Sequence, residues 1–309
     1  MESKTRTDCY SEITNAIIAD LEKGVRPWTK PWETTNAIPC RPLRVNGEPY
    51  RGINILLLWS ATHHHGFGNA HWLTFQQARQ LGGHVRKGEK ATMIVYAGVL
   101  STTEKDDKNE PQEKEIPFLK AYSVFNLDQT EGLPDKFQKL ATPTFVPHDN
   151  TRIERAERFV GNTNADVRDG GERAYYSVLE DRIQMPLLER FKECDGYYAT
   201  LLHELTHWTT RPERSPRNFR RTNFGTANYA REELVAELGA AFLCADLQLS
   251  LTPRSDHAEY ISSWLDVLRK DKRAIFQAAA MAQKATDFLH SLQRPELAKC
   301  NAESTRKTA

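Results

Sequence analysis

Hydrophobic residues spaced three and four positions apart recur along the chain and predict a series of amphipathic helices. Residues 8–24 carry Ile13, Ile17 and Leu21 at this spacing, and Gly24 suits the C-terminal end of a helix. The same pattern predicts further helices over 52–63, 74–82, 151–161, 229–247, 256–271 and 273–292, and one that begins near residue 196. The C-terminal half is therefore expected to be mainly helical.

Two parts of the chain have the composition of β-strands. Runs 91–100 and 116–127 are apolar and β-rich, and the charged segment between them predicts a long exposed hairpin loop. Residues 165–186 predict strands around the Gly170–Gly171 turn. Together with the helices, these strands predict an α+β fold in which a small antiparallel sheet accompanies the C-terminal helices.

The best domain boundary lies at residues 138–150, which contain two prolines and few helix signals. We expect an N-terminal α/β domain over residues 1–140, a linker over 141–150, and a second domain over 151–295. The polar residues 296–309 are expected to be a disordered tail.

Composition predicts a cytoplasmic protein without a membrane partner. No apolar run approaches the roughly 18 residues that a membrane-spanning helix needs, and the charged N-terminus is not a signal peptide. The 5 cysteines are scattered, which is typical of reduced thiols. The first 100 residues carry 12 Lys and Arg against 8 Asp and Glu, an excess too mild to establish nucleic-acid binding alone.

One motif points to metal chemistry: the stretch LLHELTHWTT contains His203, Glu204 and His207 in the pattern H-E-x-x-H. Residues four apart lie on one helix face, so both imidazole rings can reach the same metal ion. Glu204 is close enough to the first histidine to take a proton from an attacking water molecule. The sequence therefore predicts one divalent metal ion, zinc in the first place and manganese as the alternative, with Glu204 as the catalytic base.

A third ligand is expected on the next strong helix, YAREELVAELGAAFLCADL. Glu233 and Glu237 share one of its faces with small and apolar residues, where carboxylates need partners. We assign Glu233 as the third ligand and Glu237 as the acceptor that holds a ligand histidine by its other N–H. Glu232 competes for the ligand position, and the alternative is that these glutamates only pair with surface arginines.

In the N-terminal half, aromatic residues alternate with cations, a combination that binds single-stranded nucleic acid: cations follow the phosphates while flat rings stack on the bases. The alternative from composition alone is a set of core tryptophans beside a solvated basic hairpin. The candidate DNA-binding residues are Trp28, Lys30, Trp32, Arg51, Asn54, Trp72, Arg86, Lys87 and Lys90.

Taken together, these motifs resemble a known family. The segments ITNAIIADLEKGVRPWTKPW, YRGINILLLW, WLTFQQARQLGGHVRKGEKATMIVYA and YSVFNLDQTEGLP resemble the N-terminal domain of the ArdC family of plasmid antirestriction proteins, a domain shared with TraC-type primases. The segments HELTHWT and YAREELVAELGAAFLCADL resemble the metallopeptidase-like domain of the same family. The resemblance extends over roughly residues 8 to 292.

The resemblance implies a single-stranded-DNA-binding domain joined to a gluzincin-like metallopeptidase domain. It implies protection of incoming plasmid DNA from host restriction during conjugation, with single-stranded DNA as partner and double-stranded DNA as a further candidate. A protein of the restriction pathway would be the peptidase substrate. The remaining length holds no primase core, so primer synthesis is not expected.

Two hypotheses about the metal remain open at this point. In the first, the protein is a DNA-directed metallopeptidase whose Glu204 acts on the attacking water. In the second, it is a non-catalytic DNA-binding protein whose metal braces the fold. A structural zinc site normally has four protein ligands and no use for Glu204, which favours a catalytic origin of the motif.

Overall fold

The computed structural model describes residues 8–28, 40–105, 111–138, 150–217, 226–250 and 257–293. Residues 141–149 of the predicted linker and the predicted tail, residues 296–309, lie outside these ranges, as do Lys30 and Trp32. Its helices are α1 (Cys9–Glu22), α2 (Ile53–His65), α3 (Phe75–Gln80), α4 (Asp135–Gln138), α5 (Asn150–Thr163), α6 (Cys194–Trp208), α7 (Ala227–Leu247), α8 (His257–Lys270) and α9 (Ala274–Ser291).

Helix boundaries follow local signals in the sequence. The Thr74 side chain accepts a hydrogen bond from the Gln77 backbone, and the Gln77 side chain caps Thr74 in return, so α3 begins as a capping box. Gly66 ends α2 in the left-handed conformation that glycine adopts without strain. The predicted helices are confirmed, with ends that differ by a few residues.

In the described ranges, the strands form three sheets. They are β1 (Leu43–Arg44), β2 (His71–Leu73), β3 (His84–Val85), β4 (Thr92–Lys105), β5 (Pro111–Asn126), β6 (Thr130–Glu131), β7 (Asp166–Asp169), β8 (Tyr175–Ser177) and β9 (Arg182–Met185). The largest sheet has the order β1-β2-β5-β4, β3 pairs with β6, and the third sheet has the order β7-β9-β8.

Strands β4 and β5 form one long antiparallel ribbon that corrects the predicted hairpin loop. Their register runs from Thr92 opposite Val124 to Lys105 opposite Pro111, through much of the charged segment. Threonines at 102 and 103 favour extended backbone, and each added residue pair continues the existing hydrogen bonding. At its other end, the Asn54 side chain of α2 bonds both the N–H and the carbonyl of Val95 at 2.8 Å.

The sheet of the C-terminal half is mixed, which corrects the expectation of a purely antiparallel one. Strand β8 is antiparallel to β9, across a turn with Asp181 at φ 54°, whereas β7 is parallel to β9. The chain passes from β7 at one edge of the sheet to β8 at the other edge and then returns to β9 in the centre, so β7 and β9 run in the same direction. The fold nevertheless mixes helices with mostly antiparallel sheets and is α+β.

Helix α7 lies between two hydrophobic clusters. Leu234, Leu238 and Phe242 pack with α1, α2, α8, α9 and the β4–β5 ribbon. Leu243 and Leu247 pack with α5, α6 and the third sheet. Full burial of each such side chain contributes about 1.5–3 kcal/mol to folding, so α7 is held from both halves of the chain.

Within the described residues, no helix is both long enough and apolar enough to cross a membrane.

Candidate metal centre

The H-E-x-x-H helix and the glutamate helix bring three metal-ligating side chains together. His203 and His207 lie one turn apart on α6, and Glu233 faces them from α7. All three are largely buried, because α6 and α7 pack closely together. Within the described part of the chain, the three predicted ligands form the cluster of His, Cys, Asp and Glu side chains that could hold a metal ion.

The spacing of these donor atoms suits a metal ion. His203 Nε2 lies 3.2 Å from His207 Nε2 and 3.5 Å from Glu233 Oε2, and His207 Nε2 lies 3.4 Å from Glu233 Oε1. Tetrahedral bonds of about 2.0–2.1 Å put neighbouring donor atoms roughly 3.3–3.4 Å apart. The three side chains therefore already surround a position that a divalent ion fits, and both histidines point their Nε2 atoms at it.

Each of the two histidines has a carboxylate beside its other ring nitrogen. Glu232 Oε1 lies 3.1 Å from His207 Nδ1, within hydrogen-bonding range. Glu237 Oε2 lies 3.8 Å from His203 Nδ1, which is too far for a hydrogen bond but close enough for a charge interaction. A carboxylate hydrogen-bonded to the other ring nitrogen fixes the tautomer and orientation of a histidine, as Glu232 does for His207. Glu232, which the sequence left as a competitor of Glu233, thus lies behind a ligand.

Arg217 holds Glu232 in place. Its guanidinium donates to both carboxylate oxygens of Glu232, at 3.0 and 2.9 Å, and to the Thr206 carbonyl at 2.7 Å and the Thr209 hydroxyl at 2.9 Å. The side chain is buried, so this fork is shielded from water. Arg217 belongs to the arginine-rich segment before α7, and no pattern in the sequence distinguishes it from its neighbours.

Glu237 is held by the N-terminal segment of the chain. The Trp28 indole N–H donates to Glu237 Oε1 at 3.2 Å, and a guanidinium nitrogen of Arg26 lies 3.7 Å from the same oxygen. Residues of the predicted N-terminal domain thus contact α7, and the side chain that they contact is Glu237, the carboxylate that faces His203. Sequence reasoning missed Arg26 as a residue of this region.

The carboxylates and histidines of this cluster change each other's pKa. Burial alone would lower the pKa of His207, but Glu233 and Glu232 outweigh it and raise the pKa above its ordinary value. Burial alone would raise the pKa of Glu233, but the two histidines lower it strongly. Glu233 is therefore ionised at neutral pH, as a metal ligand must be.

The catalytic candidate Glu204 is buried on α6 beside His203. Tyr229 lies one turn before Glu233 on α7, and its hydroxyl is 3.3 Å from the Tyr260 hydroxyl. Burial, the Tyr260 hydroxyl and the negative charge of Glu233 all raise the pKa of Tyr229. Tyr229 therefore keeps its proton and is a hydrogen-bond donor at neutral pH.

Helices α6 and α7 approach closely where Gly239 faces Thr206. A Cβ atom at position 239 would lie 2.6 Å from Thr206 Cγ2 and 2.7 Å from its Oγ1, well inside ordinary contact. Thr206 lies within the H-E-x-x-H motif, between Glu204 and His207. The absence of a side chain at 239 therefore allows the spacing of the two ligand-bearing helices.

Two of the candidate DNA-binding residues are core residues, which corrects their assignment as base-stacking side chains. Trp28 is 3% exposed and packs edge-on against Trp264, while Trp72 is 1% exposed and packs edge-on against Phe67. A buried ring offers no face to a base. Asn54 is likewise engaged, by the Val95 backbone.

The remaining described candidates lie at the surface. Arg51 is exposed and forms an ion pair with Asp287. Arg86 pairs with Glu89 at 2.7 Å in the turn before β4, and Lys87 and Lys90 are exposed in the same turn.

Comparison with known families assigns the N-terminal and C-terminal parts of the chain to two different domain families. Residues 7–125 match the N-terminal domain of the anti-restriction factor ArdC, and residues 154–281 match the zincin-like metallopeptidase family. The y4eC protein of Sinorhizobium fredii is 40% identical over 302 residues, which cover 94% of each chain. A DNA primase TraC of Escherichia coli is 34% identical over 306 residues, but the chain spans only 27% of that protein's length.

Solved structures give the same family. The antirestriction protein ArdC of plasmid R388, solved without metal, is 43% identical and superposes with a TM-score of 0.77 over 93% of this chain and 98% of that one. The Mn(II)-bound structure of the R388 protein gives a TM-score of 0.75 at 41% identity, over 93% and 99% of the two chains. With its His203, His207 and Glu233 donor set, the chain therefore belongs to the ArdC family of antirestriction proteins and contains a zincin-like metallopeptidase domain with a site for a divalent metal ion.

Proposed function

We propose that this cytoplasmic protein binds single-stranded DNA, cleaves a protein of the restriction pathway, and thereby protects incoming plasmid DNA from host restriction during conjugation. The observation that carries the peptidase part is the arrangement of His203, His207 and Glu233 around one position, with Glu204 buried beside it on α6. The DNA part rests on the N-terminal ArdC domain and on its exposed basic turn.

A catalytic role accounts for the donor set better than a structural one. Within the described residues, three side chains supply the donors, whereas structural zinc sites normally use four. A position left for water and substrate is what hydrolysis requires. A structural site does not need the buried Glu204, whereas hydrolysis needs a base that accepts the proton of the attacking water.

The bound metal, which we take to be zinc or manganese, would polarise the peptide carbonyl and the attacking water. Glu204 would accept the proton of that water and pass it to the leaving amine. Glu232 would hold His207 by a hydrogen bond, and the charge of Glu237 would act on His203, so that both Nε2 atoms stay directed inward. Tyr229, protonated and close to Glu233, would donate a hydrogen bond to the developing oxyanion.

An extended peptide fits the sheet beside α6. Within the described residues, β8 pairs only with β9, so the other edge of β8 offers backbone groups to a further strand. Strand β8 packs near α6, and Tyr175 on it is exposed. Addition of a strand at such an edge binds a substrate backbone without demanding one sequence.

The test is protection of plasmid DNA in cells by wild type, Glu204→Ala and Glu204→Gln. Transfer of plasmid DNA into restricting and non-restricting recipients is compared, and the purified proteins are assayed for metal content and for affinity to single-stranded DNA. Loss of a general base lowers hydrolysis by about 10²–10⁴-fold, so we expect protection to fail while metal content and DNA affinity persist. Glu213→Ala, a change at an exposed glutamate nearby, is the control and should behave as wild type.

Full protection by both Glu204 variants would refute the peptidase part. The alternative would then hold: the metal braces the junction of α6 and α7, and DNA binding by the N-terminal half carries the activity.

A further inference from the structure

The long β4–β5 ribbon carries an exposed aromatic face. Tyr96, Phe118 and Tyr122 are 57%, 41% and 42% exposed, although large rings are usually covered in a folded protein. Tyr96 lies opposite Lys120 in the register, flanked by the pairs of Ile94 with Tyr122 and of Gly98 with Phe118. Since directly opposed residues point to the same side of an antiparallel pair, the three rings and Lys120 share one face.

This face is organised by its own contacts. The ring centroids of Tyr96 and Phe118 are 6.1 Å apart, and the Lys120 ammonium lies 5.2 Å from the centroid of Tyr122. A Cβ atom at Gly98 would lie 2.6 Å from the Phe118 ring and 3.0 Å from the Tyr96 ring. The two rings thus lie close to the bare backbone of Gly98, tilted by 49° to one another, and both stay partly exposed to solvent.

The charge of the stretch that carries the rings suits a polyanion. Segments 92–102 and 118–126 contain a single charged residue, Lys120, and no carboxylate. The basic turn that contains Lys87 and Lys90 is fixed at the base of the ribbon, because the Arg86 N–H donates to the Gln129 carbonyl at 2.9 Å and the Gln129 amide donates to the Lys90 carbonyl at 2.9 Å. Cations and flat rings therefore occur together. The carboxylates of the ribbon, at positions 104, 113 and 115, lie beyond this stretch, and Glu89 of the basic turn is paired with Arg86.

We propose that Tyr96, Phe118 and Tyr122 form the base-stacking surface of the N-terminal half, with single-stranded DNA as its ligand, phosphates on Lys120 and the basic turn, and bases on the rings. This inference rests on the proposed DNA binding and assigns it to residues that replace the buried Trp28 and Trp72. The surface requires no particular base, because every base offers a flat face.

The experiment compares two labelled strands by fluorescence anisotropy on the full-length protein. One is an oligothymidylate of about 20 nucleotides, and the other is an abasic strand of the same length, which has the phosphates but no bases to stack. Tyr96→Ala, Phe118→Ala and Tyr122→Ala should each weaken oligothymidylate binding about tenfold. Their affinity for the abasic strand should stay within about twofold of wild type, because the phosphate contacts remain.

Control variants separate stacking from other causes. Tyr96→Phe keeps the flat ring and should bind as wild type, whereas Tyr96→Leu keeps an apolar side chain and should lose the same factor as Tyr96→Ala. Lys120→Gln should weaken both strands equally. Leu187→Ala removes an equally exposed side chain elsewhere and should change neither affinity. Thermal melts and light scattering accompany each variant.

Three outcomes overturn the proposal, each in a different way. If wild type binds neither strand, the proposed DNA binding fails, and this surface fails with it. If wild type binds oligothymidylate and the ring variants bind it equally well, DNA binding stands but uses other residues. If the ring variants convert a dimer to a monomer without a change in DNA affinity, the face joins two copies of the chain.

Discussion

Replacement of Gly239 by alanine tests whether the spacing of α6 and α7 sets the metal centre. The new Cβ atom would lie 2.6 Å from Thr206 Cγ2, and ordinary contact begins at 3.4 Å, so the helices must separate or tilt by an amount close to this 0.8 Å difference. Metal–ligand bonds tolerate only about 0.2 Å. Because His207 is the residue after Thr206, movement of this turn carries a ligand away from Glu233.

The expected size of the effect combines two opposing contributions. Overpacking of a close helix contact costs about 1–3 kcal/mol, while alanine in place of glycine inside a helix contributes about 0.5–1 kcal/mol in favour of folding. The free energy of unfolding of the metal-free protein should therefore fall by at most about 2.5 kcal/mol. Metal affinity should fall more clearly, by about tenfold or more, as it does when the residues that orient metal ligands are lost.

The assay is metal competition with a chromophoric chelator, together with thermal melting in the presence and absence of metal. Thr206→Ala is the matched partner change, because it removes Cγ2 and Oγ1 and leaves only the Thr206 Cβ at 3.2 Å from the new methyl group. The double variant should regain most of the metal affinity, so the two changes should not be additive. A Gly239→Ala protein with wild-type metal affinity and a raised melting temperature would refute the close approach of the helices.

Three further changes test the residues around the ligands and the turn beside β9. Trp28→Phe removes the donor to Glu237 and should lower metal affinity about tenfold in the chelator assay, with a loss of about 1.5–3 kcal/mol in unfolding free energy. Arg217→Gln removes the guanidinium that donates to both oxygens of the buried Glu232. Denaturant unfolding should show that the free energy of unfolding falls by about 3–5 kcal/mol. Asp181→Asn tests pH dependence. The hydrogen bond from Arg214 lowers the pKa of Asp181 below 3.8 although burial opposes it, so the carboxylate stabilises the fold above that pH. The variant should melt below wild type at neutral pH, and the melting temperatures of the two proteins should converge as the pH falls below 3.8.

The part of the site that could be predicted from sequence is the part that local geometry controls. His203 and His207 share a face because four residues make about one helical turn, and Glu233 followed from a carboxylate on an apolar face. Which of two adjacent glutamates binds the metal depends on how α7 is rotated against α6. That rotation is set by the Gly239 contact and by packing on both sides of α7, which no local pattern contains.

The DNA-binding candidates illustrate the opposite case. Tryptophans beside cations match both a stacking surface and a core, and only burial distinguishes them; Trp28 and Trp72 are in the core. Tyr96, Phe118 and Tyr122 lie in runs that a strand pattern describes as ordinary apolar β-structure. Their exposure follows from the length of the β4–β5 ribbon, which continues past the helices that cover its base.

Burial of α7 on both sides connects the two halves of the protein physically. Leu238 and Phe242 need the apolar side chains of α1 and α2 as partners, while Leu243 needs those of α5 and α6. Between these two sets, Glu237 is fixed by Trp28 from one half and faces His203 of the other. A carboxylate in such surroundings keeps its orientation only while its donor stays in place. Any movement of the N-terminal segment relative to α7 must therefore change the surroundings of a metal ligand, whether or not that segment contacts DNA.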